Sequence, residues 1–349
     1  MNATRPVPAQ LQSRPPSITL NDVAARCGVS YQTVSRVANG SRFVAEKTRT
    51  RVLQAIHDLG YRPNMAARRL ATRRSGVIGM VASDITYYGP AQLMVSIEET
   101  ARRHDYSLMF VGIDRSSDTQ LEAAIDHLCK HQVDGLVVGA NIAGKVELVQ
   151  RLCRGVPFVT LDRTAPITVP AAVVDQSLGV RLSIKHLLEL GHRQIASVAG
   201  PSGWPAAVER RNAFVRALKR ARIDPGPIVE GDWSAESGYA ATLRLLGVER
   251  KTFSAIVAAN DQMALGAVRA LHHKRVKVPQ EVSVVGYDDL PESQFFEPPL
   301  TTIHNDFARQ GELCFEMLLR LINQEAIGRP LELLQPELVV RESTAGVTS

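Results

Sequence analysis

From Gly76 onward, short apolar runs alternate with stretches of helical periodicity. Near-continuous runs of Val, Ile and Ala between helical patterns are typical of parallel strands that are buried on both faces. One set of five runs precedes a second set of three, so the pattern predicts two doubly wound α/β subdomains. The predicted strands lie at 77–83, 107–113, 135–140, 158–162 and 171–175, and then at 195–200, 254–260 and 282–289.

The first part of the chain has a helical period instead. Two short helices are predicted at Leu20–Cys27 and Tyr31–Ala38. Gly28 can end the first in the left-handed conformation, and Ser30 can cap the second. A third amphipathic helix, Lys47–Leu59, completes a three-helix core. Its inward residues are predicted to be Val52, Leu53 and Ile56.

The outer face of the second helix carries side chains that can read DNA bases. Arginine pairs with guanine, glutamine or asparagine pairs with adenine, and tyrosine or serine reaches bases or phosphates. A helix-turn-helix of this length places its second helix in the major groove. The alternative is a helical hairpin with a solvated face. The candidate residues are Tyr31, Gln32, Ser35, Arg36 and, just beyond the helix, Asn39.

The charge distribution favours DNA over the solvated hairpin. The net charge is +6, yet residues 17–75 alone carry +8 and residues 1–16 carry +2. Residues 76–349 are therefore about four charges negative. A basic head on an acidic body is the expected pattern for a nucleic-acid-binding module attached to a second domain.

The remaining segments limit the class of protein. Residues 1–16 lack an apolar run and predict a disordered tail rather than a signal peptide. Residues 63–75 predict a linker with a short, marginal helix, either a switch or a passive tether. No stretch approaches the ~18 apolar residues that cross a bilayer. The four cysteines are widely spaced without a Cys/His cluster, so we expect reduced thiols and neither metal nor cofactor.

Polar and aromatic residues follow several of the predicted strands. Ligands of parallel α/β sheets bind at the carboxyl ends of the strands. A sugar needs donors and acceptors for its hydroxyls and an aromatic ring for its C–H face. Each residue alone has an alternative role as a helix cap or a core residue, whereas the joint pattern predicts one pocket. The candidates are Asp162, Arg210, Trp233, Asn260, Asp288 and Phe307.

An enzyme is the less favoured alternative. The sequence has no G-x-S-x-G elbow, P-loop or zinc-binding spacing. Asp162 and Asp288 could form a glycosidase pair, although nothing in the sequence fixes their separation. The basic head argues against that function.

Several motifs together resemble the LacI/GalR family of bacterial transcription repressors, from about Ile18 to about Ser343. The resemblance implies an all-α helix-turn-helix head and an α/β body like periplasmic sugar-binding proteins, with two doubly wound parallel-sheet subdomains. The motifs are SYQTVSRVANG (30–40), PNMAARRLA (63–71), GDWSA (231–235), VAANDQMALGA (257–267), SVVGYDD (283–289) and PPLTTIHNDF (298–307). The implied divisions are a DNA-binding domain at 17–62, a hinge helix and linker at 63–75, and an effector-binding and dimerisation domain at 76–343, followed by a tail at 344–349. Within that domain the N-subdomain is 76–175 and 307–334, and the C-subdomain is 176–306 and 335–343.

The resemblance also implies roles for individual residues. Leu70 matches a hinge leucine that wedges into the minor groove. Pro90 matches the apolar rim of the effector pocket, and the six candidates named above match its other residues. The DNA-contact set is Leu20, Ser30, Tyr31, Gln32, Ser35, Arg36, Asn39, Asn64, Ala67 and Leu70.

The chain departs from the family pattern at some contact positions. Phe43 stands where a DNA-contacting histidine is found. Ala206 replaces a pocket serine, Asn305 a glutamine, Tyr87 a leucine and Val174 a phenylalanine. The polar ligands for hydroxyls remain while the apolar rim changes, which retains a sugar as the predicted ligand and weakens the case for a galactoside.

The sequence thus predicts a cytoplasmic, nucleoid-associated repressor of a carbohydrate-utilisation operon. It binds double-stranded operator DNA and is released by a small sugar, a galactoside being one candidate. No leucine heptad follows residue 343, so a homodimer is expected. One alternative is a regulator whose purine or sugar-metabolite ligand tightens DNA binding. Another is a sugar-binding protein without a regulatory role.

Overall fold

The computed structural model describes residues 18–38, 43–61, 74–114, 117–139, 142, 144–163, 168–247 and 253–347. The chain divides into two compact units, residues 1–75 and residues 76–349. The predicted tail at 1–16 and most of the predicted hinge lie outside the described residues. The same is true of four predicted DNA contacts, Asn39, Asn64, Ala67 and Leu70.

The first unit contains three helices around a small apolar core. They are α1 (Leu20–Cys27), α2 (Tyr31–Ala38) and α3 (Glu46–Asp58). Thr19 and Asp22 form a capping box at the start of α1, and Gly28 ends it with a φ of 62°. The core residues Val23, Val34 and Val52 are fully buried, one from each helix.

The prediction for the third helix was wrong about one inward residue. Leu53 is 49% exposed, whereas Ala55 is buried beside Val52. Ile56 is only partly buried against the core. Successive residues of an α-helix point in directions about 100° apart. Leu53 therefore points away from the face that carries Val52, whereas Ala55 and Ile56, three and four residues after Val52, lie on that face.

The second unit begins with a six-stranded parallel sheet in the order β11-β5-β4-β3-β1-β2. Helices α5 and α6 pack into one core cluster, and helices α4 and α11 into another, as in a doubly wound sheet. The strands are β1 (Val77–Ser83), β2 (Ser107–Ile113), β3 (Gly135–Gly139), β4 (Phe158–Thr160), β5 (Ala171–Val174) and β11 (Leu331–Leu334). The helices are α4 (Tyr88–Arg103), α5 (Asp118–Lys130), α6 (Val146–Cys153) and α11 (Phe307–Ile322).

A second parallel sheet in the same unit has the order β7-β6-β8-β9. Helices α7 and α8 share one core cluster, and helices α9 and α10 share another. The strands are β6 (Ile195–Ala199), β7 (Ile228–Glu230), β8 (Ala255–Ala258) and β9 (Ser283–Val285). The helices are α7 (Gln176–Glu189), α8 (Pro205–Arg220), α9 (Ala235–Gly247) and α10 (Asp261–His273), followed by a 3₁₀ turn at Pro291–Phe295.

Among the described residues, all eight predicted strands are present and four further strands were not predicted; the predicted ends agree to within a few residues, except that the run predicted at 282–289 is a strand only at Ser283–Val285. These four are β7, β11 and the antiparallel pair β10 (Thr302–His304) and β12 (Glu337–Val339). Each has only three or four residues, and β7, β11 and β12 are partly exposed. Such short mixed runs lack the continuous apolar pattern of a doubly buried strand.

The described part of the predicted tail at 344–349 contacts the body. Thr344, Ala345 and Val347 each have a hydrogen-bond partner there. The Thr344 hydroxyl lies 2.9 Å from His186 Nε2, and the Ala345 carbonyl lies 3.0 Å from His192 Nε2. The Val347 amide donates to the Leu190 carbonyl at 3.0 Å.

Two features are absent from the part of the chain that the structure describes. Within these ranges, no helix combines the length and apolar character needed to span a bilayer. The same ranges hold no group of three or more His, Cys, Asp or Glu side chains arranged to bind a metal ion.

Burial raises the pKa of the Cys153 and Cys314 thiols to about 12, so both are protonated at neutral pH.

Candidate functional site

Helix α2 presents one apolar and one polar face. Val34 and Val37 are buried, whereas Tyr31, Gln32 and Arg36 are exposed. Tyr31 is 50% exposed, so its ring and hydroxyl are accessible for contact. The face therefore carries donors and acceptors on a rigid helix, which suits insertion into a DNA groove.

Two other predicted DNA contacts have structural roles in the first unit. The Ser30 hydroxyl accepts a hydrogen bond from the Thr33 amide at 3.2 Å and so caps α2. Leu20 is partly buried against the three-helix core, so much of its side chain is engaged in packing. Ser35 is half-buried, and Phe43 is 91% exposed.

The seven predicted effector residues lie around one cavity of about 130 Å³ in the second unit. It lies where the carboxyl ends of strands from both large sheets face each other. The seven are Pro90, Asp162, Arg210, Trp233, Asn260, Asp288 and Phe307. Two of the departures from the family pattern, Tyr87 and Ala206, also line it.

A buried ion pair forms the polar wall of this cavity. Arg210 Nη2 lies 3.3 Å from Asp288 Oδ1, and the two side chains are only 9% and 11% exposed. Arg210 Nε donates to Gln176 Oε1 at 2.7 Å, and Nη1 donates to the Ala259 carbonyl. The guanidinium also lies over the Tyr287 ring, 3.6 Å from its centroid. These contacts fix the guanidinium in one orientation, with its charge at the cavity wall.

The Asp288 carboxylate is held in place by its backbone and by a neighbouring amide. Its φ of 105° is rare outside glycine and is stabilised here by the surrounding structure. Asn305 Nδ2 donates to Oδ1 at 2.9 Å. Burial raises the pKa of Asp288, while Arg210 and Asn305 oppose the shift by favouring the ionised form. The wall thus offers a carboxylate acceptor beside a fixed cation.

Aromatic side chains form the other walls. The rings of Trp204 and Trp233 meet edge to face with centroids 5.3 Å apart, and those of Tyr88 and Phe307 with centroids 5.9 Å apart. The buried Trp233 Nε1 has no hydrogen-bond partner among the described residues. A buried donor without a partner is costly, and a ligand acceptor could satisfy it.

Asn260 has a structural role besides lining the cavity. Its Oδ1 accepts from the Met263 amide at 2.8 Å and so caps α10, and its Nδ2 donates to the Trp233 carbonyl at 3.0 Å. Both polar atoms of this side chain are therefore engaged with the protein. Asn260 positions Trp233, whose φ is 79°, in addition to lining the cavity.

The sequence analysis missed several lining residues, of which three follow the strand-end rule used there. Gln176 follows β5 by two residues, and Tyr88 and Trp204 lie in segments that follow β1 and β6. These strand-end positions are where ligands are expected in parallel sheets. Gln310 could not be found in this way, because it reaches the cavity from inside α11.

One buried carboxylate beside the cavity was also missed. Asp261 accepts hydrogen bonds from the Leu290 amide at 2.8 Å, the Ser293 hydroxyl at 2.6 Å and the Thr302 hydroxyl. Burial raises its pKa to about 7. These bonds fasten the segment that follows Asp288. No sequence pattern distinguishes it from an ordinary residue of the first helical turn.

The two parts of the second unit are joined directly across the cavity. The Tyr87 hydroxyl, just before α4, donates to the Asp232 carbonyl at 3.1 Å, next to Trp233. A ligand in the cavity would touch both subdomains. Its binding energy can therefore act on their relative arrangement.

The chain is similar to known proteins over nearly its whole length. Residues 19–64 match the model for bacterial regulatory proteins of the lacI family, and residues 184–344 match the periplasmic binding protein-like domain. The chain is 38% identical over 328 residues to the lactose operon repressor of Escherichia coli (strain K12), covering 94% of this chain and 91% of that protein. It is 36% identical over 330 residues to the HTH-type transcriptional repressor PurR of Histophilus somni (strain 2336), covering 93% and 98%.

A solved structure gives the same result for the fold. The lac repressor dimer bound to operator and the anti-inducer ONPF superposes with a TM-score of 0.84 at 37% identity, covering 94% of this chain and 99% of that one. The sequence-predicted head and doubly wound body are thus confirmed. The relatives carry the names of repressors rather than enzymes. The chain belongs to the LacI family of bacterial transcriptional repressors.

Proposed function

We propose that this repressor binds a near-palindromic operator and is released from it by a small sugar. The observation that supports a sugar as the ligand is the composition of the cavity. A fixed Arg210–Asp288 pair can donate to and accept from ring hydroxyls, and aromatic rings flank it.

The DNA half of the proposal rests on α2 and on charge. Tyr31, Gln32 and Arg36 face outward together, and the first 75 residues carry the whole positive excess. Phosphate contacts from such a head supply much of the affinity and make it salt-sensitive. Base contacts supply the discrimination. Such a repressor acts at the nucleoid in the cytoplasm.

We propose that the sugar favours the arrangement of the body in which two hinge segments cannot pair on the operator. Coupling of this kind typically amounts to ~1–3 kcal/mol, or about 5- to 150-fold in affinity. A purine or sugar metabolite that tightens DNA binding is the second candidate, favoured by the 36% identity to a repressor named PurR. The buried carboxylate and cation at the cavity wall favour the sugar.

The test is a titration of DNA binding in the presence of candidate effectors. The probe is a duplex that the full chain selects from a randomised pool, followed by fluorescence anisotropy. We expect at least one monosaccharide or disaccharide to weaken binding by about fivefold or more. Guanine and hypoxanthine are the matched comparison. Tighter binding with a purine, and no effect of any sugar, would overturn the proposed effector.

We further propose that the repressor is a homodimer, because a palindromic operator requires two heads related by a twofold axis. Phe295 is 81% exposed on the 3₁₀ turn, and Leu265 is 40% exposed on α10. A contiguous apolar surface often marks a protein contact, and these two exposed side chains are our candidates for the dimer contact. The similar lac repressor structure is itself a dimer.

Phe295→Asp is expected to weaken dimerisation at least tenfold, because it puts a carboxylate into an apolar contact. Sedimentation velocity at micromolar concentrations measures the change. Phe43→Asp is the matched control, since Phe43 is 91% exposed in the first unit. Unchanged self-association of Phe295→Asp would exclude this surface as the dimer contact.

A further inference from the structure

A separate cavity of the second unit lies at the carboxyl end of α10. Its volume is about 730 Å³, and it shares no lining residue with the cavity beside the Arg210–Asp288 pair. We call this space the α10 cavity. Its charged and imidazole side chains are Arg269, His272, His273, Arg275, Lys277 and Glu297.

The α10 cavity is cationic, although the body that contains it is acidic. Residues 76–349 are about four charges negative. In the cavity, three cations face one carboxylate, which leaves an excess of two positive charges. Arg269, Arg275 and Lys277 form no ion pair within the part of the chain that the structure describes. Their charges are therefore available to an anionic ligand.

The dipole of α10 explains only part of this cluster. The carboxyl end of a helix favours cations within its last turn. His273 is the last residue of α10, and Lys274 follows it as the cap. Arg269 lies a turn before this end, and Lys277 lies three residues beyond the cap. Their placement around one cavity is therefore a property of the tertiary structure.

Backbone hydrogen bonds fix the segment that carries two of the cations. Arg275 has a φ of 58°, and the Val276 amide donates to the Leu271 carbonyl at 2.9 Å, which ends the helix. The Lys277 amide donates to Glu281 Oε2 at 2.9 Å. A wall that is already ordered loses little conformational entropy when it binds a ligand.

Two imidazoles add hydrogen-bonding groups to the cationic wall. Arg269 Nη1 lies 3.4 Å from His272 Nδ1. Because a guanidinium only donates, His272 Nδ1 accepts this bond in the neutral ring, and Nε2 carries the hydrogen. The ring of His273 stacks on that of Tyr239 with centroids 6.0 Å apart, and its Nδ1 is hydrogen-bonded to the Tyr239 hydroxyl. Both imidazoles are thus oriented beside the cations.

Apolar side chains line the same cavity. Val268 is buried in the core cluster of α9 and α10, and Val276 and Val278 pack against that cluster. Pro298 also contributes to the lining. A bare inorganic anion would leave this apolar surface in contact with water, whereas a ring of a larger ligand could cover it. The lining thus fits a ligand that joins an anionic group to a ring.

We propose that the α10 cavity binds a small organic phosphate monoester, such as a nucleoside or sugar phosphate, with its ring against the valines. A phosphate monoester carries a charge of about −1.5 to −2 at neutral pH and presents three acceptor oxygens. This charge matches the cationic excess of the cavity. Arg275 and Lys277 would contact the phosphate oxygens, as arginine and lysine do in many phosphate sites.

Calorimetry and phosphorus NMR on the full chain test this proposal. The probes are adenosine monophosphate, guanosine monophosphate, glucose phosphate and inorganic phosphate, with adenosine, guanosine and glucose as unphosphorylated parents at the same ionic strength. We expect one monoester to bind at least about tenfold more tightly than both its parent and inorganic phosphate, because it combines charged hydrogen bonds with apolar contact. If every monoester bound no better than its parent, the proposal would be overturned.

Two variants locate the phosphate group. Arg275→Gly removes one cation and retains a φ that glycine adopts without strain. Lys277→Ala removes another, and both positions are exposed, so both variants should fold. Each is expected to weaken monoester binding by about tenfold or more and to leave binding of the parent unchanged. Operator binding and the sugar response should also be unchanged.

The matched control is Lys274→Ala, which removes the same charge from the same helix end without touching the lining. It should alter monoester affinity by less than about twofold, because exposed charges outside the site are screened. Equal losses in Lys274→Ala and Lys277→Ala would indicate general attraction of anions and exclude a site. Undiminished binding by Arg275→Gly and Lys277→Ala would place the ligand in another cavity. A phosphoserine peptide that bound more tightly than every small monoester would overturn the proposed ligand class.

The α10 cavity adjoins the proposed dimer contact, so accessibility in the dimer needs its own measurement. Leu265 lies one turn before Arg269 on α10, and Phe295 lies two residues before Glu297. The titration is therefore repeated with Phe295→Asp at the same protein concentration. We expect equal monoester affinity for the two proteins. Binding by Phe295→Asp alone would show that a second copy covers the cavity, and it would overturn the site in the assembled repressor.

Discussion

Asp288→Asn is expected to reduce effector affinity by about a hundredfold or more while operator affinity without sugar stays within twofold. The carboxylate lies 3.3 Å from Arg210 and is 11% exposed, at the wall of the cavity. Hydrogen bonds to a charged group contribute ~1.5–3 kcal/mol each. Two ligand hydroxyls bound to this carboxylate would lose about two decades of affinity when the charge is removed. Calorimetry and release of the selected duplex measure both effects.

The substitution also lowers the stability of the fold, so a control variant has to separate this effect from the loss of a ligand contact. Removing one partner of a buried ion pair leaves the other uncompensated, and truncations of this kind cost ~3–5 kcal/mol. Asparagine keeps the shape and an acceptor for Asn305, so the loss should be smaller. Asp289→Asn is the matched control, because Asp289 pairs with Arg341 at 2.7 Å and does not line the cavity. It should retain the sugar response. Loss of operator binding by Asp288→Asn would assign this carboxylate a role in folding instead.

Arg36→Ala is expected to reduce discrimination between the selected duplex and a scrambled one by about 10- to 100-fold. Arg36 is exposed on the outer face of α2, beside Gln32. A bidentate contact to a base contributes ~1–3 kcal/mol of discrimination, which is about this range. Binding to the scrambled duplex should fall only slightly, because phosphate contacts from other cationic side chains remain.

The matched control is Arg51→Ala on α3, which removes the same charge from the same three-helix unit. It should weaken binding to both duplexes by a similar factor and leave their ratio unchanged. Anisotropy titrations at two salt concentrations measure the ratio and the salt dependence. If Arg36→Ala left the ratio of the two affinities unaltered, Arg36 would not contribute to base recognition.

The local hydrophobic pattern of the sequence was sufficient to predict the helices of the first unit and the buried strands of the second. Val34 and Val37 recur at helical spacing, and Gly28 ends α1 with a positive φ, as the sequence predicted. The runs at β1 and β3 are continuous because both faces of each strand are covered. Short β7 and β12 escaped detection because a three-residue, partly exposed strand has no such signature. Leu53 was misplaced because adjacent positions in a helix differ by about 100° in direction.

By itself, the sequence determined a basic helix-turn-helix head, an α/β body, and residues that line a cavity at its strand ends. It could do so because periodicity, strand-end placement and charge are local properties of the chain. Only the tertiary structure decided how those residues act together. It pairs Arg210 with Asp288, and it places Asn260 as the cap of α10. It also binds the segment after Asp288 to Asp261 and forms the α10 cavity. These features depend on distances between residues that are far apart in sequence, and packing alone fixes those distances.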